Sequence, residues 1–167
     1  ETLECWQLSL EATSTPSVLA LTRQNLPALR TSYEAENLSA RGAYVIHEPK
    51  EASTVTFYAS GSEVAIAVEA AETLAGEGVH ARVVSVPCME RFERQSADYR
   101  ADIIGKDQVR VAIEAGIRMG WDGIIGPDGI FIGMTGFGAS APFEELYRHF
   151  GITAEAAVEA VKARLAD

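Results

Sequence analysis

The chain has 167 residues, 47% of them apolar and 23% charged, which suits one globular domain with a sizeable core, or one domain with part of another attached. Fourteen Lys and Arg against 24 Asp and Glu leave a formal net charge of −10. That balance argues against a nucleic-acid binder or an anionic-membrane binder, both of which need basic surface.

No apolar run approaches the ~20 residues of a membrane span, and no charged, apolar, small-residue leader is visible. Cys5 and Cys88 lie far apart in unlike contexts, and read as reduced, mostly buried thiols of a cytoplasmic protein rather than as a disulfide. The opening ETLECWQLSLEA lacks an initiator Met and reads as the middle of a helix over 1–12, as expected of a piece of a larger chain. Leu3, Trp6 and Leu10 fall on one face of that helix.

Pro16 and Ser17 punctuate the start of an apolar run over 17–21 that reads as a strand, followed by the loop TRQNLP at 22–27. Thr22, Arg23, Gln24 and Asn25 present hydroxyl, guanidinium and amide groups together, and Pro27 forbids the strand from continuing. An arginine at the C-terminal end of a strand suits a phosphate, because its planar fork is always charged and donates two parallel hydrogen bonds. The plainer reading is a surface arginine on a loop. Residues 28–41 are polar and aperiodic, read as a linker, and mark a domain boundary.

Beyond that boundary strands alternate with helices. Residues 44–48 form a short strand closed by Pro49, and 54–59 (TVTFYA) a strand rich in β-branched and aromatic residues. A helix follows from Glu63, with Val64, Ala67, Val68, Ala71 and Leu74 at helical spacing, ending at Gly76 and Gly78. Strands are expected over 79–86, 108–115 and 130–134, and one or two short helices over 89–104 with Phe92 and Tyr99 turned inward. Terminal helices cover 143–150 and 153–166, the second capped by Thr153 with Glu155 near its positive end. Near-continuous Val, Ile and Ala runs in such an alternation imply a mostly parallel sheet covered on both faces.

The groups that carry chemistry are sparse. Ser60-Gly61-Ser62 sits where a strand turns into a helix, a place suited to an anion; a tight turn with Ser62 as cap is the simpler reading. The glycine-rich stretch 116–138 matches no nucleotide fingerprint and reads as a winding connection anchored by Trp121 and Phe131. His47, His80 and His149 are scattered, without partners at metal-ligand spacing. Glu114, at the C-terminal end of a strand, is the most interesting acid, since such strand ends face the crevice of open α/β sheets; a structural carboxylate is the plainer reading. The chain holds no self-sufficient catalytic site.

Several segments together resemble the C-terminal part of transketolase. LALTRQNLP resembles the LALSRQNLP that ends the family's pyrimidine-binding domain, with Thr22 where serine is usual. TVTFYASGSEVAIAVEAAETLAGEG, ARVVSVPCMERFERQSADYR and RVAIEAG resemble the family's C-terminal domain. GMTGFGASAPFEELYRHFGIT is similar to its closing FG-x-SAP-x-x-x-L-x-x-x-FG-x-T.

The resemblance implies an α/β fold, a three-layer α/β/α sandwich on a five-stranded mixed, mostly parallel sheet whose first strand, 44–48, is antiparallel. It divides the chain into the end of the pyrimidine-binding domain (1–30), a linker (31–41) and a complete C-terminal domain (42–167). It implies transfer of a two-carbon ketol unit between sugar phosphates, in a homodimer using thiamine diphosphate and a divalent cation, Mg or Ca. The cofactor, the metal and most catalytic residues would belong to upstream domains. Only the arginine of the motif carries over, as Arg23, which the family uses to grip the sugar phosphate. The fragment alone is then expected to be inactive. The alternative is a stand-alone or regulatory α/β module binding an anion or nucleotide at the Gly61–Ser62 turn or the 116–138 edge.

Overall fold

The computed structural model describes residues 1–166. Five strands form one sheet: β1 (Tyr44–His47), β2 (Val55–Ala59), β3 (Ala81–Ser85), β4 (Val109–Ile117) and β5 (Ile130–Met134). Their order is β1-β3-β2-β4-β5, with β1 antiparallel to β3 and every other pair parallel. All five residues of β2 are buried, the signature of a strand covered on both faces.

The strand alternation feeds two separate cores. Val55, Phe57, Val83, Val111 and Ile113 face α2 (Glu63–Gly76) and α7 (Ala154–Ala166). Tyr58, Val84 and Ala112 face the other way, against Phe92 of α3 (Met89–Glu93), Ile103 of α4 (Ala97–Ile104) and Trp121 beside α5 (Asp122–Ile125). The result is the expected three-layer sandwich. The last described connection carries α6 (Phe143–Phe150), from which Tyr147 and Phe150 reach the first core. Thr153 caps α7 through the amide of Ala156, at 3.2 Å. Tyr99 lies edge-on to buried Phe92 and donates its hydroxyl to the carbonyl of Ala43.

Two glycines are dictated by close approach. A Cβ on Gly42, at φ +84°, would lie 2.3 Å from the Cys88 carbonyl oxygen and the Phe92 amide nitrogen. One on Gly133 would lie 2.6 Å from the Glu114 carbonyl oxygen, where β5 passes the irregular end of β4.

The N-terminal segment departs from expectation. No strand forms over 17–21: the segment is irregular, and Val18 is 93% exposed. A strand needs a hydrogen-bonded neighbour, and among the described residues none pairs with it. A helix α1 does form (Thr2–Glu11), but its apolar stripe faces solvent, with Leu3 84% and Leu10 77% exposed and no residue buried. The supposed linker is partly ordered, since Leu38–Arg41 makes a 3-10 turn with Ser39 buried. Both cysteines are free, and half-buried rather than buried.

Trp121 is 1% exposed and fills the second core. Trp121→Ala is expected to cost about 3–5 kcal/mol of stability, read as a lowered urea midpoint at unchanged m-value.

Candidate functional site

The described structure places the candidate residues in two separate groups. The first lies at the carboxyl edge of the central strands. Chain order reverses here, because β2 leads to β3 on one side while β4 lies on the other, the position at which open α/β sheets hold ligands. Ser60 follows β2 and donates its hydroxyl to Glu114 Oε2 at 2.7 Å. Ser62 occupies the N-cap position of α2 but does not cap it; its hydroxyl donates to Glu63 Oε1 at 2.8 Å. Tyr147 of α6 donates to the same carboxylate oxygen. Glu63 is 3% exposed, so these two hydroxyls satisfy a carboxylate that would otherwise be stranded in the interior.

Glu114 does not end its strand. β4 runs on to Ile117 through an irregularity between Glu114 and Ile117. Burial pushes the Glu114 carboxyl above its ordinary value of 4.5, the neighbouring Glu63 charge adds to the rise, and the Ser60 hydroxyl opposes it. Burial and Glu63 together raise the Tyr147 phenol to about 12. Two carboxylates held by hydroxyl donors repel an anion, so this turn offers no phosphate cradle. It is a polar joint between β2, β4, α2 and α6.

The glycine-rich edge is likewise occupied from within. The Arg118 guanidinium donates to Asp122 Oδ1 at 2.8 Å, to the Gly129 carbonyl at 2.9 Å and to the Gly126 carbonyl at 3.0 Å. Those carbonyls converge on a cation already present, which leaves the edge unsuited to a second anionic ligand. Sequence reasoning passed over Arg118, whose signal was its i+4 spacing to Asp122 among turn-forming glycines.

The histidines stay apart. His80 Nδ1 lies 3.6 Å from Glu51 Oε2, His149 stacks edge-on to Phe150, and His47 lies in β1. Among the described residues no three His, Cys, Asp or Glu side chains converge as metal ligands.

The second group is the TRQNLP loop. Arg23 is exposed, and no ion pair among the described residues includes it. Locally the loop is shaped by the Gln24 amide donating to Thr22 Oγ1 at 3.2 Å. At its far end Arg30 forms a two-pronged pair with Glu4 of α1, at 2.6 and 2.8 Å. Glu4 Oε2 also accepts from the Ser39 hydroxyl at 2.7 Å and the Ser39 amide at 3.2 Å. The Arg30 hydrogen bonds and, after them, those of Ser39 hold the Glu4 carboxyl down at about 2, against the opposing effect of burial. Glu1 Oε2 accepts from Tyr44 at 2.8 Å and from the fully buried Ser85 at 2.6 Å. Helix α1 is thus docked through carboxylates while its apolar stripe stays outside. The spacing of Leu3, Trp6 and Leu10 signalled a stripe, but not which way it would face.

A three-layer α/β/α domain with one antiparallel edge strand and an arginine loop leading into it defines the class of the molecule. A family model described as a transketolase-like C-terminal domain matches residues 42–153. A transketolase of Cereibacter sphaeroides is 54% identical over 165 residues, 99% of this chain and 25% of that protein. One of Sinorhizobium medicae is 58% identical over 156 residues, 93% of this chain and 22% of that protein. The solved transketolase of Pichia stipitis in complex with sedoheptulose-7-phosphate superimposes with a TM-score of 0.86 at 32% identity, over 99% of this chain and 24% of that one. The chain belongs to the transketolase family. It spans about a quarter of the length of these relatives.

Two measurements test the joints. Tyr147→Phe removes a donor from a buried carboxylate and is expected to cost about 1–3 kcal/mol in urea unfolding. The pH dependence has two opposite limbs. Glu114, raised from 4.5 on folding, contributes stability that is fully present below pH 4.5 and is lost as pH rises through its folded value. Glu4, lowered to about 2, contributes stability present above pH 4.5 and lost as pH falls towards 2. Urea midpoints across pH should show the first limb abolished in Glu114→Gln and the second in Glu4→Gln.

Proposed function

We propose that this chain is the C-terminal portion of a transketolase that transfers a two-carbon ketol unit between sugar phosphates. In this reading residues 1–30 end a pyrimidine-binding domain, 31–41 link, and 42–167 form the C-terminal domain. The observation that carries it is the TRQNLP loop, which presents an exposed Arg23 without an acidic partner among the described residues, in a chain of this family. Arg23 grips the phosphate of the sugar. A phosphate lies far from the reacting carbonyl, so its binding energy orients the substrate and leaves bond-making to other groups.

Thiamine diphosphate and a divalent cation, Mg or Ca, are assigned to sequence outside this chain. The full-length enzyme is read as a cytoplasmic homodimer. This chain alone is inactive, its contribution being a phosphate grip and the domain that supports it.

Charge-assisted hydrogen bonds contribute about 1.5–3 kcal/mol. Arg23→Ala in the full-length enzyme is therefore expected to raise KM for phosphorylated sugars roughly 10- to 100-fold. Unphosphorylated analogues should be nearly unaffected in steady-state assays. Equal losses on both substrates would contradict the assignment.

A further inference from the structure

Helix α6 is lightly held. None of its residues is buried. Residues 135–142 before it are exposed throughout. After it Gly151 turns the chain at φ +69° and leads to Ile152, which is buried. Between these ends Tyr147 and Phe150 rest on the first core, and the Tyr147 hydroxyl donates to the buried Glu63 carboxylate. The Ser62 hydroxyl donates to the same oxygen at 2.8 Å, and two positions earlier the Ser60 hydroxyl donates to Glu114 Oε2 at 2.7 Å. Carboxylates from α2 and β4 are thus brought together, each supplied by hydroxyls, and no ion pair among the described residues includes either.

We propose that α6 is a pH-sensitive strap: the Tyr147–Glu63 hydrogen bond latches it to the carboxyl edge of the sheet while Glu114 carries its proton, and the charge on Glu114 releases it about the Gly151 hinge. The groups facing Glu114 are Ser60 from the end of β2, Glu63 from the first turn of α2 and, from α6, Tyr147 on the far side of Glu63. The neighbouring strand β5 presents Gly133. The charged groups of α6 itself, Glu144, Glu145, Arg148 and His149, are exposed. With Glu114 neutral, the Glu63 carboxylate stands alone at the N-terminal end of α2, where the helix dipole favours it. A second negative charge in the same water-poor site is repelled. Lifting α6 admits water to both carboxylates and relieves the repulsion. The device lies wholly within residues 60–152, inside the stretch 42–153 that the family model matches.

The direction of the effect follows from the two forms. Burial and Glu63 hold the Glu114 carboxyl above 4.5 while the strap is closed, and water returns it towards that value once the strap opens. The closed form is therefore fully favoured below pH 4.5 and loses ground as pH rises through the raised value. For one proton the opening constant rises at most about tenfold per pH unit, and it levels off above the titration of closed-state Glu114. The test is amide hydrogen exchange of the 167-residue chain across about pH 4–8, corrected for the intrinsic pH dependence of exchange. Amides of 146–152, which bond within α6 and its cap, should lose protection about fivefold or more over that range while those of β2 and β4 keep theirs. In Glu114→Gln and in Glu63→Gln the profile should be flat, because each removes one of the two charges. Tyr147→Phe should lower protection of the same amides even at the acid end.

A flat profile in the unaltered chain overturns the proposal. So does the same fall in Glu114→Gln, which keeps the exposed His149, or a fall shared equally by β2 and β4, which marks global unfolding. Unchanged protection in Tyr147→Phe overturns the latch. Should a variant fail to fold, the carboxyl 13C shift of Glu114 in the unaltered chain supplies the second reading. The loss of protection should level off at the pH where that carboxyl titrates, and a loss that levels off elsewhere assigns it to another group and overturns the proposal.

Discussion

The central strand β2 pairs on both sides, with β3 and with β4, and all five of its residues are buried. Every layer of the domain refers to it. Phe57 presses on the α2 and α7 side and Tyr58 on the α3, α4 and α5 side, so the two cores share one backbone. The polar joint at the carboxyl edge extends the same strand. Ser60 reaches β4 through Glu114, and one turn further Glu63 receives the hydroxyl of Tyr147 from α6. Because β2 cannot shift register without turning Phe57 and Tyr58 to the wrong faces, the positions of those polar groups follow from hydrophobic packing.

The N-terminal segment obeys a different rule. Helix α1 buries no apolar residue and is attached by Glu1 and Glu4, whose oxygens meet Tyr44, Ser85, Arg30 and Ser39. Apolar surface drives association without direction, whereas a two-pronged ion pair fixes one geometry.

Much of the fold was legible because local and global signals agree. β5 and α6 fall where periodicity puts them, 130–134 and 143–150, bounded by glycine or proline. β1, β2 and β3 come out shorter by one to three residues, although the backbone of Thr54 still donates to His80 at 3.0 Å and that of Val86 to Ala59 at 2.9 Å. The strand expected at 17–21 failed because its apolar run reports a preference for extended backbone, and pairing must come from another strand. Ser62 was a sound cap by position, yet a buried carboxylate beside it made the stronger claim on its hydroxyl. Arg30 and Glu4 were invisible to spacing, since they meet across 26 positions, whereas Arg118 left only its i+4 spacing to Asp122 as a signal. Of the candidate site residues, Arg23 rests on its motif, while the Glu4–Arg30 pair, 26 positions apart, left no signal in the spacing.

The central claim is that this chain holds the substrate by its phosphate and leaves the chemistry to other residues. The most direct measurement is a crystal structure of the full-length enzyme with a ketose phosphate bound. The account predicts two Arg23 guanidinium nitrogens about 2.7–2.9 Å from phosphate oxygens, with Arg30 still paired to Glu4. A phosphate bound by other residues, with Arg23 turned to solvent, would contradict it.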